Sequence, residues 1–356
     1  MSPSSVTRPC LPDDPVPLGP RDDEFARRLR PYLEDELGVT DPEIKRFPGG
    51  RANLTYHVAA RGRDLVVRRP PFGPIPPRSH DMEREYRVMT GVGKVLPFVP
   101  RTVALCSDPL VSDRPFFVME RACGFVLRED WPAFLPPDSG LRRRMAQSFL
   151  QVALDLHGVD PIDVGLETIG RPEGFMSRQV AGWSARCRET LVDGDPRPGR
   201  VFSWLADQAI PPQPAAMVHN DLKFDNVMLD WDDPSHINAV FDWDMATLGD
   251  PLADLGLVLT YWGQDGDDIE RHGGRLPVTA LDGFPRRDWV IEEYARKSGR
   301  DLSAIGFYEV FGLAKLAVLC QQLLHRYRRG ESDDDRLAIY ETQVPAIWAE
   351  ADRRAT

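Results

Sequence analysis

Residues 219–230 read "HNDLKFDNVMLD" and decide the architecture of the chain. His219 and Asp221 lie two apart, Lys223 follows two later, and Asn226 stands five after Asp221, immediately before the apolar run "NVML". Any one of these polar residues fits a turn, because Asp and Asn side chains bond nearby backbone. Four of them on so short a path beside a strand point to chemistry. The same pattern continues outward at 236–256, "HINAVFDWDMATLGDPLADLG". Its first part alternates as a short strand does and ends at Asp242, and the connector "DWDDPS" between the two strands is rich in turn residues. Two adjacent strands then present Asp221, Asn226 and Asp242 at one edge, a set of hard oxygen donors suited to Mg2+ beside phosphate.

The spacing of Asp221 and Asn226 matches H-x-D-x-x-x-x-N, the kinase catalytic loop, in which the Asp accepts the hydroxyl proton and the Asn binds magnesium. With His219-Asn220-Asp221, Asn226, Asp242-Trp243-Asp244 and "GDPLADL" at 249–255, the chain resembles the aminoglycoside phosphotransferase family, closest to the subgroup found alone in bacteria or fused to acyl-CoA-dehydrogenase-like domains. The stretches "FPGGRANLTYHV", "VVRRPPFG", "HDMEREYRVM" and "GRPEGFMSRQVAGW" extend the likeness over most of the chain. The resemblance implies an α+β, protein-kinase-like two-lobe fold. A small antiparallel β-rich N-lobe with one key helix would occupy 21–119, a hinge 120–124, and a larger, mainly helical C-lobe 125–356, after a loose Pro-rich tail at 1–20.

It also implies ATP and Mg2+ as cofactors. Asp221 and Lys223 are the expected catalytic residues, Asn226 and Asp242 the metal ligands, and His219 and Asp254 the supports of the loop. Gly49, Gly50, Arg68, Glu85, Glu120 and Ala122 are the expected nucleotide contacts. The two glycines open the backbone to phosphate. Arg68 departs from the pattern: kinases end this strand with a Lys that pairs a helix Glu, whereas "LVVRR" at 65–69 offers an Arg, with Glu85 as its expected partner. Lys223 would neutralise charge on the transferring phosphate. Asn220 replaces the family glycine and is expected to adopt left-handed angles. His157 reads as a helix C-terminal residue, Asp250 as a turn residue, and Trp183, Trp262 and Trp289 as core or pocket wall.

Local patterns supply the rest. Residues 22–38 read as a helix ended by Gly38, and 79–92 as a helix with Ser79 as candidate N-cap and Met82, Tyr86 and Met89 on one face. "RTVALCSD" and "RPFFVMER" read as strands, and "LRRRMAQSFLQVALDLHGV" as the clearest helix. A net charge of −11 argues against nucleic acid as a partner. The run "IGFYEVFGLAKLAVLC" at 305–320 contains Glu309 and Lys315 and reads as a core helix, so no membrane association is expected. Five Cys without a C-x-x-C pair, and no secretory pattern at the N-terminus, fit reduced thiols in the cytoplasm.

The expected partner is a small-molecule hydroxyl substrate. The resemblance favours a hydroxyacyl-CoA-like acceptor, with basic stretches at 141–144 and 325–330 to receive an anion. The alternatives are an antibiotic such as a cationic aminoglycoside, drawn to the acidic stretch 264–270, and a nucleotide-binding pseudokinase without turnover.

Overall fold

The computed structural model describes residues 14–48, 53–73, 80–128, 130–190, 194–332 and 334–355. The chain divides into two compact units, Met1–Gly93 with Val99–Ala122, and Lys94–Phe98 with Cys123–Thr356.

The first unit opens with α1 (Pro20–Leu37), which has Pro at its first position and stops at Gly38, whose φ of 63° supplies the left-handed C-cap. Five antiparallel strands follow in the spatial order β1-β2-β3-β5-β4: β1 (Glu43–Arg46), β2 (Leu54–Ala60), β3 (Arg63–Arg69), β4 (Thr102–Cys106) and β5 (Phe116–Glu120). Between β3 and β4 lies α2 (Met82–Val92). The i, i+4 spacing of Phe25, Leu29 and Leu33 lays one apolar face of α1 on the sheet, where Phe25 meets Tyr56 and Phe116 at ring-centroid distances of 5.2 and 5.7 Å. Val16, within the stretch expected to be loose, pairs with Arg46 through two backbone bonds. The N-cap of α2 is Asp81, whose carboxylate accepts the Arg84 N–H at 3.0 Å; Ser79 lies outside the described residues. The helix therefore starts later than its polar lead-in indicated.

The second unit is mainly helical. It contains β6 (Phe125–Val126), α3 (Ser139–His157), α4 (Phe175–Glu189), α5 (Arg197–Asp207) and β7 (Ala216–Val218), then β8 (Val227–Leu229), β9 (Ile237–Val240) and β10 (Thr247–Gly249). The helices α6 (Pro251–Tyr261), α7 (Arg287–Ser298), α8 (Ile305–Arg328) and α9 (Tyr340–Arg354) complete it. Residues 94–98, read from the sequence as part of the N-lobe, belong to this unit: Lys94 donates to the Val164 carbonyl at 3.3 Å, and the Phe98 carbonyl accepts the Val240 N–H at 2.8 Å. By length and composition α8 qualifies as a membrane span, but its window is 72% buried inside the protein, as a core helix is. Its close neighbour is α6. A Cβ on Gly256 would stand 2.3 Å from the Tyr308 carbonyl oxygen, and one on Gly312 would stand 2.4 Å from Thr260 Oγ1, so these two glycines set how near the helices approach.

Candidate active site

Two strand pairings bring the site together. In one sheet β8 lies between β6 and β9, with Val227 opposite Val240; in the other β10 pairs antiparallel with β7, Thr247 opposite Val218. The loop after β7 and the loop after β9 therefore run side by side. The Phe241 N–H bonds the Asn226 carbonyl at 2.8 Å, His219 Nε2 lies 2.8 Å from the Phe241 carbonyl, and Asn220 Nδ2 donates to the Met245 carbonyl at 3.0 Å. Each loop turns on a non-glycine residue in the left-handed region, Asn220 and Asp242, both at φ 66°.

The first loop carries a carboxylate gripped from both sides. Asp221 Oδ2 accepts from Lys223 Nζ at 2.8 Å and from Asn226 Nδ2 at 3.0 Å, and Oδ1 accepts from the Tyr261 hydroxyl at 2.9 Å. Asn226 Nδ2 also reaches the Asp221 carbonyl at 2.8 Å, so the amide nitrogen is committed to Asp221 and the amide oxygen is the end presented to a ligand. Burial works against the charge of Lys223, yet the Asp221 carboxylate, with Asp225 and Asp242 adding to it, raises the Lys223 pKa above its ordinary value. Burial, then the charge of Asp221, pushes the Tyr261 hydroxyl well above its usual range, so it stays a donor. Lys223 also lies 4.9 Å over the Tyr261 ring. Asp221, Lys223, Asn226 and Tyr261 thus form one hydrogen-bonded group. Asp242 borders it closely enough to act on the charge of Lys223.

Below the loop sits Asp254, fully buried on α6. Its Oδ2 accepts the His219 N–H at 2.6 Å and its Oδ1 the Asn220 N–H at 2.5 Å. His157, at the end of α3, places Nε2 3.3 Å from Asp254 Oδ2 and Nδ1 2.7 Å from the Tyr294 hydroxyl. Burial alone would raise the Asp254 pKa, but the hydrogen bond and charge of His157, with His219, hold it below the ordinary carboxylate value. His157 is therefore more than a helix terminus: it is a buried partner of the carboxylate that anchors the loop. Asp250 is more than a turn residue. It caps α6 by accepting the Leu252 N–H at 2.9 Å, and it takes a bond from the Tyr308 hydroxyl at 2.7 Å. Trp183 and Trp262 are buried as expected of core residues, whereas Trp289 is half-buried beneath Arg143.

The donor set fits a hard divalent ion. Among the described residues no three His, Cys, Asp or Glu side chains gather as a metal site. An ion here would take the Asn226 amide oxygen, the Asp242 carboxylate and oxygens of a phosphate and water, a set natural to Mg2+.

In the first unit Arg68 and Glu85 meet. Arg68 Nε donates to Glu85 Oε2 at 3.0 Å, and Glu85 is 1% exposed, so its charge is sequestered against the guanidinium. The neighbouring Arg69 is spent differently: buried between the rings of Phe25 and Phe72, it bonds Asp113 at 2.6 Å. Glu120 ends β5 with its side chain on Arg101 and its backbone N–H on the Arg101 carbonyl at 2.8 Å, and Ala122 is the last residue of the unit. Gly49 and Gly50 lie outside the described residues.

The sequence profile of the phosphotransferase enzyme family, APH, matches residues 43–277. The chain belongs to that family. Among curated proteins it is 29% identical over 309 residues to mouse (Mus musculus) acyl-CoA dehydrogenase family member 10, covering 85% of this chain but only 28% of that protein. The chain thus spans well under half the length of that relative. A putative aminoglycoside phosphotransferase from Ralstonia eutropha superposes with a TM-score of 0.76 at 24% identity, covering 92% of this chain and 98% of the other. The aminoglycoside phosphotransferase APH(4)-Ia, solved as a ternary complex with AMP-PNP and hygromycin B, gives 0.57 at 17% identity, covering 90% and 97%. The APH fold is protein-kinase-like, and the antiparallel sheet of the first unit and the helical second unit are its two parts.

Within this APH chain the charged stretches expected to select an acceptor are engaged only in part. In 141–144, Arg142 is buried, donates to the Asp282 carbonyl at 2.7 Å and lies 4.4 Å over the Trp131 ring. In 325–330, Arg328 pairs with Glu341, and Arg329 pairs with Glu331 at 2.6 Å. Arg143, Arg144 and Arg326 remain exposed in these stretches. In the acidic stretch 264–270, Asp265, Asp268 and Glu270 are exposed, while Asp267 is committed internally. Burial would raise the pKa of Asp267, but bonds from His272 and Arg287 and the charge of Arg271 hold it well below the carboxylate range.

Proposed function

We propose that this chain transfers the γ-phosphoryl group of ATP to a hydroxyl of a small molecule, with Asp221 as the base. The observation that carries this reading is the Asp221 carboxylate, fixed by Lys223, Asn226 and Tyr261 at the mouth of a loop braced by Asp254. A carboxylate oxygen that accepts one donor retains a lone pair, so Oδ1, which receives only the Tyr261 hydroxyl among the bonds found here, can accept the proton of an incoming alcohol. Lys223 stays protonated beside it and would balance charge on the equatorial phosphate oxygens. Asn226 and Asp242 would hold Mg2+, which when bound neutralises phosphate charge. Arg68, oriented by Glu85, would contact phosphate in place of the usual Lys; its planar fork suits phosphate at least as well as an ammonium. The Glu120 carbonyl and the backbone of Ala122, in a hinge at 120–124, would receive the base of the nucleotide. Retention of Asp221, Asn226 and Asp242 favours turnover over a pseudokinase role. We place the protein in the cytoplasm on its cysteine usage, with Cys106, Cys123, Cys187 and Cys320 held in no disulfide.

For the acceptor we favour a hydroxyacyl-CoA-like compound. The support is the likeness to a protein named for acyl-CoA dehydrogenation. The test is a phosphorylation assay with 4-hydroxyacyl-CoA esters beside kanamycin-type and macrolide-type compounds, with Mg-ATP as donor. The reading expects phosphorylated CoA ester. Turnover of an antibiotic at kcat/KM above roughly 10⁴ M⁻¹s⁻¹, an ordinary enzyme's value, with none on the CoA ester would refute the choice of acceptor. No magnesium-dependent ATP turnover on any of them, or on water, would refute the enzyme.

A further inference from the structure

Lys315 stands in the middle of α8, 1% exposed. A lysine so placed is costly to bury, because its charged form loses hydration. Its ammonium donates to the carbonyl of Asn220 at 2.7 Å and lies 5.5 Å over the Trp183 ring of α4. The path to that carbonyl is built by the helix crossing. Gly256 and Gly312 let α6 and α8 close on each other, and Lys315 lies one turn beyond Gly312. Asn220 is consequently held at both ends by opposite buried charges. Asp254 of α6 takes its N–H, and Lys315 of α8 gives to its C=O. Those two bonds fix the residue whose left-handed turn delivers Asp221, the next residue in the chain.

We propose that Lys315 is a positioning residue for phosphoryl transfer, its ammonium clamping the Asn220 peptide so that the loop presents Asp221 to the acceptor. The proposal rests on the reading of Asp221 as the base. Lys315 touches neither nucleotide nor acceptor in this account; it acts through the loop. A displacement of about 1 Å at a reacting group is enough to cost on the order of 10²-fold in rate, so loss of the clamp should appear in kcat and leave KM little changed.

The clamp has a pH signature. The charged groups facing Lys315 are Asp221 and Lys223 on the loop, Asp254 on α6 and Arg186 on α4. Burial dominates their combined effect and pushes the Lys315 ammonium down to about 8, against an ordinary 10.5. Lys223 and Tyr261, the other groups of the loop cluster that lose a proton in alkali, are both shifted upward, so neither accounts for an activity limb near that pH.

The experiment follows magnesium-dependent hydrolysis of ATP, transfer to water with no acceptor needed, from pH 6 to 10 in the wild type, Lys315→Met and Lys315→Arg. In parallel, NMR titration of the side-chain resonances of labelled lysine is tractable because the chain has only five Lys. The wild type should lose activity as pH rises through about 8, with one lysine titrating there. Lys315→Met should lower kcat by roughly 10- to 100-fold with ATP KM within about twofold, lack the alkaline limb and lack that resonance. Lys315→Arg, if folded, should restore part of kcat without the limb. Equal kcat and an identical alkaline limb in Lys315→Met would overturn the proposal, as would five lysines all titrating near the ordinary value. Should neither variant fold, the wild-type pH profile and titration decide alone: coincidence supports the clamp and disagreement rejects it. Absence of turnover in the wild type at every pH would overturn the phosphotransfer reading and the positioning role with it, while a lysine titrating near 8 in that sample would still show the clamp to be present.

Discussion

Replacing Asp254 by Ala should destabilise the second unit. The carboxylate accepts two backbone N–H groups, at 2.6 and 2.5 Å, and faces His157 Nε2 at 3.3 Å, all in a fully buried setting. Hydrogen bonds to a charged group contribute roughly 1.5–3 kcal/mol each, and a buried donor left without a partner costs about 1–3 kcal/mol. The desolvation that Asp254 itself suffers opposes these terms, so the net loss is closer to the roughly 3–5 kcal/mol of a broken buried pair. At about 2–4 °C per kcal/mol for a unit of this size, the melting temperature should fall by roughly 6–20 °C. Asp254→Asn keeps the shape and one acceptor oxygen but turns an NH2 group toward a backbone N–H, and should fall by an intermediate amount.

The assay is thermal unfolding followed by tryptophan fluorescence, since Trp131, Trp183, Trp204, Trp231, Trp243, Trp262, Trp289 and Trp348 all lie in the second unit. The folded-state pKa of Asp254 is depressed, so its stabilisation is fully present above the unfolded carboxylate value, about 3.9, and is lost as pH falls through the folded value. The gap between wild type and Asp254→Ala should therefore be constant at neutral pH and narrow in strong acid. A shift under about 2 °C at pH 7, or a gap that widens in acid, would show that the loop is held by something other than this carboxylate.

Four further outcomes are expected. Asp221→Asn should fold and bind Mg-ATP yet lose about 10²–10⁴-fold in turnover, the range for a positioned acid or base; near-wild-type turnover removes Asp221 from that role. Asn226→Ala and Asp242→Ala should each lessen the rise in melting temperature given by Mg-ATP, and an unchanged rise in both would misplace the metal site. Arg68→Ala should raise the KM for ATP while Arg68→Lys retains much of the activity, as steady-state kinetics will show; identical kinetics in Arg68→Ala would confine Arg68 to its structural pair with Glu85. Asp267→Asn should lower the melting temperature at pH 7 by loosening Arg271, His272 and Arg287, and the loss should vanish as pH falls below the folded pKa of Asp267, which lies below the usual carboxylate value.

Much of this arrangement was legible before any coordinates. Asp221, Asn226 and Asp242 stand out because their spacing matches a kinase catalytic loop followed by a strand ending in Asp, and Asp254 because "GDPLADL" resembles the family motif. The alternation of β2 and the four-residue repeat of α1 likewise follow from local periodicity. What was not legible is convergence from a distance. Tyr261 reaches Asp221 across 40 residues, Lys315 reaches Asn220 across 95, and His157 reaches Asp254 across 97. Periodicity says of each only that it sits near an apolar face. The fate of each charge in the charged stretches was not legible either. A run of arginines looks the same in sequence whether it faces solvent or, like Arg142, is buried against Asp282 and Trp131. The one available signal was Lys315 itself, a charge inside an otherwise apolar run, where burial demands a partner.

Asn220 shows why those distant partners matter. A non-glycine residue in the left-handed region bears on the order of 1–2 kcal/mol of strain, and such strain persists only where the surroundings over-determine it. Asp254 fixes the N–H of Asn220, Lys315 fixes its carbonyl, and the Met245 carbonyl receives its side-chain amide. Three bonds from three separate elements hold one residue, and each comes from a different part of the second unit. A glycine would turn here without strain but would offer no side chain to Met245 and would leave the loop more ways to move in the unfolded chain. The asparagine gives up some local ease for a third tether. The loop that carries Asp221 is thus held by its surroundings, with the backbone preference of the residue at its turn counting against the conformation it adopts.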